Sequence, residues 1–230
     1  MTLLQTIARL LSFRLDRASM LEFTPRHFLA GLLGTWIVGM GRYWDDPGAS
    51  LLQHLGLGSV IYIFVLSALI WLLVLPFRVE GWRYDRVLTF VSLTSFPAIL
   101  YAIPVERFVS MKVAIEMNVW FLAVVALWRL ALLLYFLRVF TRLWIIDIVT
   151  LTLLPVCGII AALTALNLHR VVFDTMGGLH ETSPHDGAYL VLFFLTLIAT
   201  VLVIPLLIAY RVGIYRRMKQ IRNEASGPVD

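Results

Sequence analysis

Residues 55–77 read LGLGSVIYIFVLSALIWLLVLPF, with no Asp, Glu, Lys or Arg anywhere in the run. A helix needs about 20 consecutive apolar residues to cross the hydrocarbon of a bilayer. This stretch meets that length and ends at Pro76, so it reads as one membrane span. Five more apolar segments flank it, at 28–43, 87–103, 113–136, 145–168 and 189–210. The whole chain is 60% hydrophobic with a mean hydropathy of +0.89, against about 45–50% apolar content for a soluble domain. A soluble protein of 230 residues cannot hide that much apolar surface. The expected fold is therefore an all-α integral membrane protein with six transmembrane helices.

Charge sets the expected orientation. The seven polar gaps, termini included and Arg42 at the edge of the first segment counted with the gap it borders, hold 4, 1, 3, 2, 2, 1 and 5 Lys and Arg in chain order, with Arg129 alone deep inside a segment. Basic residues concentrate on the cytoplasmic side of membrane proteins, so this alternation places both termini in the cytoplasm. The first segment is short, but starting its helix at Pro25, after a capping Thr24, lengthens it enough. Dropping it would put either the N-terminal or the C-terminal arginines on the wrong side. Aromatic residues mark the expected boundaries, with Tyr43, Trp44, Tyr101, Trp120 and Tyr189 outside and Trp82, Tyr84, Trp144, Tyr210 and Tyr215 inside.

Before the first span, Leu3, Leu4, Ile7, Leu10, Leu11 and Leu15 recur at helical spacing between Gln5, Arg9 and Arg17. Residues 1–22 are expected to form an amphipathic interfacial helix on the inner leaflet, its arginines facing lipid phosphates; the alternative is packing on the bundle. Residues 23–210 then make the bundle and 211–230 a basic cytoplasmic tail. The net charge of +5 sits at segment ends, which points to anionic membrane lipid at the inner face as the polyanionic partner, not to nucleic acid. Arginine outnumbers lysine 17 to 2, a bias that fits a GC-rich bacterial genome and hence a bacterial inner (plasma) membrane. The single Cys157 forbids an internal disulfide. Arg9, Arg14 and Arg17 interrupt the first apolar stretch, so no cleavable signal peptide is expected.

Four groups of residues are candidates for a site. Arg129 and Asp147 lie inside spans, where ionisable groups are costly and usually paired, and they are expected to form an ion pair across a helix hairpin. Ser92, Thr94 and Ser95 interrupt the third segment beside Pro97; such residues either line a polar path or pack helices closely. The last outer loop carries His169, His180, Glu181, His185 and Asp186, side chains able to hold a divalent metal or sense pH, although their spacing matches no metal motif. The run Gly39–Gly48 holds Arg42, Asp45 and Asp46 in what reads as a structured outer turn. Pro155 and Pro205 predict kinks, with Thr150 or Thr152 expected to help the freed carbonyl.

No catalytic constellation is visible. No two histidines stand four residues apart within a span, Ser92 and Ser95 have no intramembrane histidine, and Gly56-x-Gly58 follows no strand. No cofactor is expected. The leading reading is a non-enzymatic membrane component that assembles with or organises partner proteins, or with further copies of itself. A small-solute or ion transporter is the alternative, and an enzyme acting on lipid at the outer headgroup level the third reading.

Overall fold

A computed structural model describes residues 1–41, 55–166 and 187–225. All regular structure among the described residues is helical. Two short helices, α1 (Leu3–Leu11) and α2 (Arg17–Leu21), precede α3 (Pro25–Gly41). Then come α4 (Leu57–Val74), extended by a 3-10 turn at Leu75–Phe77, and α5 (Tyr84–Leu93), continued by 3-10 turns at Phe96–Ala102 and Val105–Arg107. The chain finishes with α6 (Met111–Thr141), α7 (Ile145–Ala165) and α8 (Gly187–Ala225).

Four stretches are long and apolar enough to cross a membrane: Leu57–Phe77, Glu116–Thr141, Ile145–Ala165 and Phe193–Glu224. Two expected spans differ from that form. The first is a helix of 17 residues, Pro25–Gly41. The third is not one helix: α5 stops at Leu93, and Pro97, which lacks an N–H, sits at the start of a 3-10 segment. Pro25 does open α3, and His27 Nδ1 accepts from both the backbone N–H (3.1 Å) and the hydroxyl (2.8 Å) of Thr24, closing the helix start.

Side-chain contacts give the running directions. Phe28 meets Phe64, and Trp71 meets Tyr84, so α3, α4 and α5 alternate. Phe90 stacks on Phe136 at 4.0 Å between ring centres while Trp82 meets Phe140, which sets α6 antiparallel to α5. Arg216 reaches Asp147, which sets α8 antiparallel to α7. One end of the bundle, the basic end, thereby collects α2, the 78–83 and 142–144 turns and the last turns of α8, while the chain before α2 reaches back along α6 as far as Trp128. Arg17, Arg78, Arg83, Arg86, Arg142, Arg216 and Arg217 all belong to it. Most of the core also lies in this half, around the fully buried Phe77, Phe90, Phe136 and Phe140. Aromatic pairs of this kind contribute about 0.5–1.5 kcal/mol each beyond their buried area.

The N-terminal segment is two helices, not the single one expected over residues 1–22. Thr2 and Gln5 form a reciprocal cap on α1. The Ser12 hydroxyl then donates back to Ala8 O at 2.8 Å and Phe13 takes a left-handed φ of 58°, which ends the helix. The apolar face packs on protein: Leu10, Leu15 and Met20 are wholly buried. Trp128 Nε1 donates to Leu11 O (3.1 Å), Tyr135 Oη to Leu15 O (2.8 Å), and Arg17 to the carbonyls of Phe140 and Glu80 (3.1 Å each). In the turn before α2, the Ser19 hydroxyl donates to Asp16 at 2.6 Å and holds that carboxyl below its ordinary pKa.

The aromatic boundary differs at one residue. Trp82 is buried against Phe136 and Phe140 and donates to Trp71 O at 3.1 Å, so it belongs to the core. Trp144 and Tyr215 are exposed, as boundary rings are. Thr150 and Thr152 donate to Ile146 O (2.7 Å) and Ile148 O (2.8 Å), one turn back on their own helix. Pro155 frees the carbonyl of Leu151, so neither hydroxyl supplies the help expected of it.

Close packing between α3 and α5 depends on Gly31. A Cβ there would collide with the Ser92 side chain and lie 2.8 Å from the Ser92 carbonyl carbon. Gly31→Val is therefore expected to force α3 away from α5 and lower the thermal midpoint in detergent, by the equivalent of about 1–3 kcal/mol for overpacking. Gly158→Ala, where a Cβ meets nothing within 4 Å, should leave the midpoint unchanged or raise it.

Candidate functional site

The ionisable group most deeply set in the described bundle is Asp147, in the first turn of α7 and 5% exposed. Its partner is Arg216 of α8, with Nη2 2.7 Å from Oδ1. The pair is possible because Gly213, one turn before Arg216, presses directly on the carboxylate; a Cβ there would collide with Asp147 Oδ1 and sit 3.3 Å from the Phe77 ring. Around it, Tyr210 Oη donates to Leu73 O at 2.8 Å, its ring meets Phe77 at 5.8 Å, and Arg217 Nε donates to Phe77 O at 3.3 Å. A glycine, two arginines and a tyrosine on one α8 segment thus fasten that helix to α4 and α7 together.

This corrects the expected pairing of Arg129 with Asp147. The sequence estimate ended the fourth segment at Phe136, but α6 runs on to Thr141. Arg129 therefore lies about 18 Å from the end of α6, at about 1.5 Å per residue, whereas Asp147 lies within the first turn of α7. Arg129 instead sits over the Tyr62 ring of α4, 5.5 Å from its centre. Such a cation–π contact contributes about 0.5–2 kcal/mol.

The hydroxyl group of Ser92, Thr94 and Ser95 is buried and locally bonded. Ser92 donates to Thr89 O (2.8 Å) and Thr94 to Val91 O (2.7 Å), and the Ser95 and Thr35 hydroxyls lie 2.6 Å apart. Thr35 also donates to Gly31 O at 2.8 Å. This is a helix-packing arrangement in which the interhelical bond supplies about 0.6 kcal/mol on average. Asp147, Arg129 and the hydroxyls each engage different partners: Arg216, the Tyr62 ring, and the α5 carbonyls with Thr35.

The remaining candidates, His169, His180, Glu181, His185 and Asp186 in one loop and Arg42, Asp45 and Asp46 in the other, lie outside the described residues. Among the described residues, no three His, Cys, Asp or Glu side chains come together as metal ligands would.

One further feature was not legible in the sequence. Trp144 together with Arg216, Lys219, Gln220 and Asn223 lines a shallow cleft of about 310 Å³ at the basic end. Its elements are a turn and a helix more than seventy residues apart, so no local motif announces it. The recurrence of Arg216, Lys219, Gln220 and Asn223 at helical spacing was the available signal.

No protein-family model, no curated protein and no solved structure matches this chain.

The two readings of Asp147 are separated by a double-mutant cycle on stability. Arg216→Gln and Asp147→Asn should show a coupling of about 0.5–3 kcal/mol, as contacting charged residues do. Arg129→Gln and Asp147→Asn should be additive to within about 0.5 kcal/mol, as separate sites are.

Proposed function

We propose that this chain is a six-span protein of a bacterial inner membrane, with both termini in the cytoplasm, that assembles with or organises partner membrane proteins without catalysing a reaction. Four of the crossings would be the long apolar stretches of α4, α6, α7 and α8. The other two would be α3 and the interrupted α5 segment, whose directions alternate with their neighbours. Burial of basic side chains in hydrocarbon is costly, and the gathering of arginines at one end of the bundle favours a single cytoplasmic face.

The observation that carries the assembly reading is the surface of α8. Only 6% of its apolar window is buried, against 44% for α7. Phe193, Phe194, Ile198, Val201, Ile204 and Ile208 all stand exposed. The basic end of this helix is fastened by the contacts of Tyr210, Gly213, Arg216 and Arg217, while most of its remaining length offers van der Waals surface to another membrane helix, the main source of helix association in lipid. A transport path through Ser92, Thr94, Arg129 and Asp147 has less support, because each of those side chains is engaged by a different partner within the bundle.

Photo-crosslinking in intact cells tests this reading. A crosslinker at Phe194, Val201 or Ile208 should give a discrete protein adduct, and one at Leu29 or Leu33, exposed on α3, should not. Lipid adducts alone from the α8 positions would overturn it.

A further inference from the structure

We propose that the cleft between Trp144 and the last turns of α8 binds the phosphate-bearing headgroup of an anionic phospholipid. The inference rests on reading the basic end as a membrane interface. Arg216 and Lys219 stand three residues apart, on one face of α8, and both line the cleft. Asp147 engages Arg216 through Nη2. No hydrogen bond to another described residue occupies the rest of that guanidinium, and no described carboxylate pairs with Lys219. The cleft therefore carries two cations against one anion. Because Asp147 fixes the guanidinium in place, less ordering is required when a ligand binds. Arginine also matches phosphate oxygens with paired N–H donors. Gln220 adds a neutral donor and acceptor for glycerol or ester oxygens.

The cleft's apolar side selects a lipid over a free anion. The Trp144 indole is exposed, and the next two residues, Ile145 and Ile146, are about half exposed. These surfaces lie where α7 begins its apolar run. An indole prefers the headgroup level, and the isoleucines that follow it directly suit the start of an acyl chain. A water-soluble phosphate would use the cations and leave the Trp144 ring and the exposed isoleucines beside the cleft uncovered. A phospholipid uses both.

Native mass spectrometry of the purified full chain tests the site directly, with added phosphatidylglycerol, phosphatidylcholine or inorganic phosphate. Wild type should retain phosphatidylglycerol in preference to phosphatidylcholine and should not retain inorganic phosphate. Lys219→Gln should weaken phosphatidylglycerol retention about fivefold, the loss expected for one basic residue at an anionic surface. Arg14→Gln, which removes an exposed charge outside the cleft, should weaken it by less than about twofold, because screening limits distant charges. Arg216 is left intact so that Asp147 keeps its partner. Equal losses in the two variants, or no preference for phosphatidylglycerol, would overturn the site. Retention of inorganic phosphate as strong as that of lipid would overturn the lipid assignment. No partner protein is present in this assay, so its failure leaves the assembly reading standing.

Discussion

The cost of placing a charged side chain in hydrocarbon governs this molecule. The apolar stretches tolerate few charges, so the turns between them carry the arginines, and alternating helix directions bring those turns to one end. Once gathered, the arginines do more than mark an interface. Arg17 ties α2 to the end of α6 and to the 78–83 turn. Arg86 donates to Gly81 O within that turn. Arg217 caps the end of α4 at Phe77. Arg216 balances the buried carboxylate of Asp147. The charges excluded from the membrane interior thus supply much of the fastening between helices.

The consequence is a bundle with unequal halves. The aromatic core of Phe77, Phe90, Phe136 and Phe140, the docked N-terminal helices and the α8 fastening all lie toward the basic end. Farther along, α3 and α5 hold together through Gly31, Thr35, Ser92 and Ser95, and α8 packs through a narrow stripe on which Ala199 is buried and Thr196, Val203 and Leu206 are half-buried, its other faces staying exposed. A helix that packs through one narrow stripe and is otherwise exposed and apolar suits a protein whose remaining contacts are made with other membrane components. The headgroup cleft would sit at the fixed end of the same helix, so lipid and partner would meet different parts of α8.

The long apolar runs were legible because length and hydropathy alone define them; α4 and α7 follow the sequence closely, whereas α6 runs past its expected end to Thr141 and α8 continues to Ala225, through most of the expected tail 211–230. The interruption of α5 was signalled by Ser95 and Pro97, but its extent depends on how the backbone turns after Thr94. The break between α1 and α2 depends on a left-handed Phe13, which nothing in the local composition demands. The partner of Asp147 was hidden for two reasons. The end of α6 was placed five residues too early, which brought Arg129 to a false depth, and Arg216 was assigned to the tail beyond the span. Gly213, three residues before Arg216, was the clue to a close approach, and it becomes informative only once α7 and α8 are known to touch.

The proposed orientation puts four turns or ends, far apart in sequence, on one cytoplasmic face. Single cysteines at Arg14, Glu80, Arg142 and Gln220, in a chain whose Cys157 is replaced by alanine, allow a direct measurement with a membrane-impermeant maleimide. The account predicts that none of the four labels in intact cells and that all label after permeabilisation. A cysteine at Phe108, exposed at the opposite end, should label in intact cells. Labelling of any of the four from outside would contradict the account.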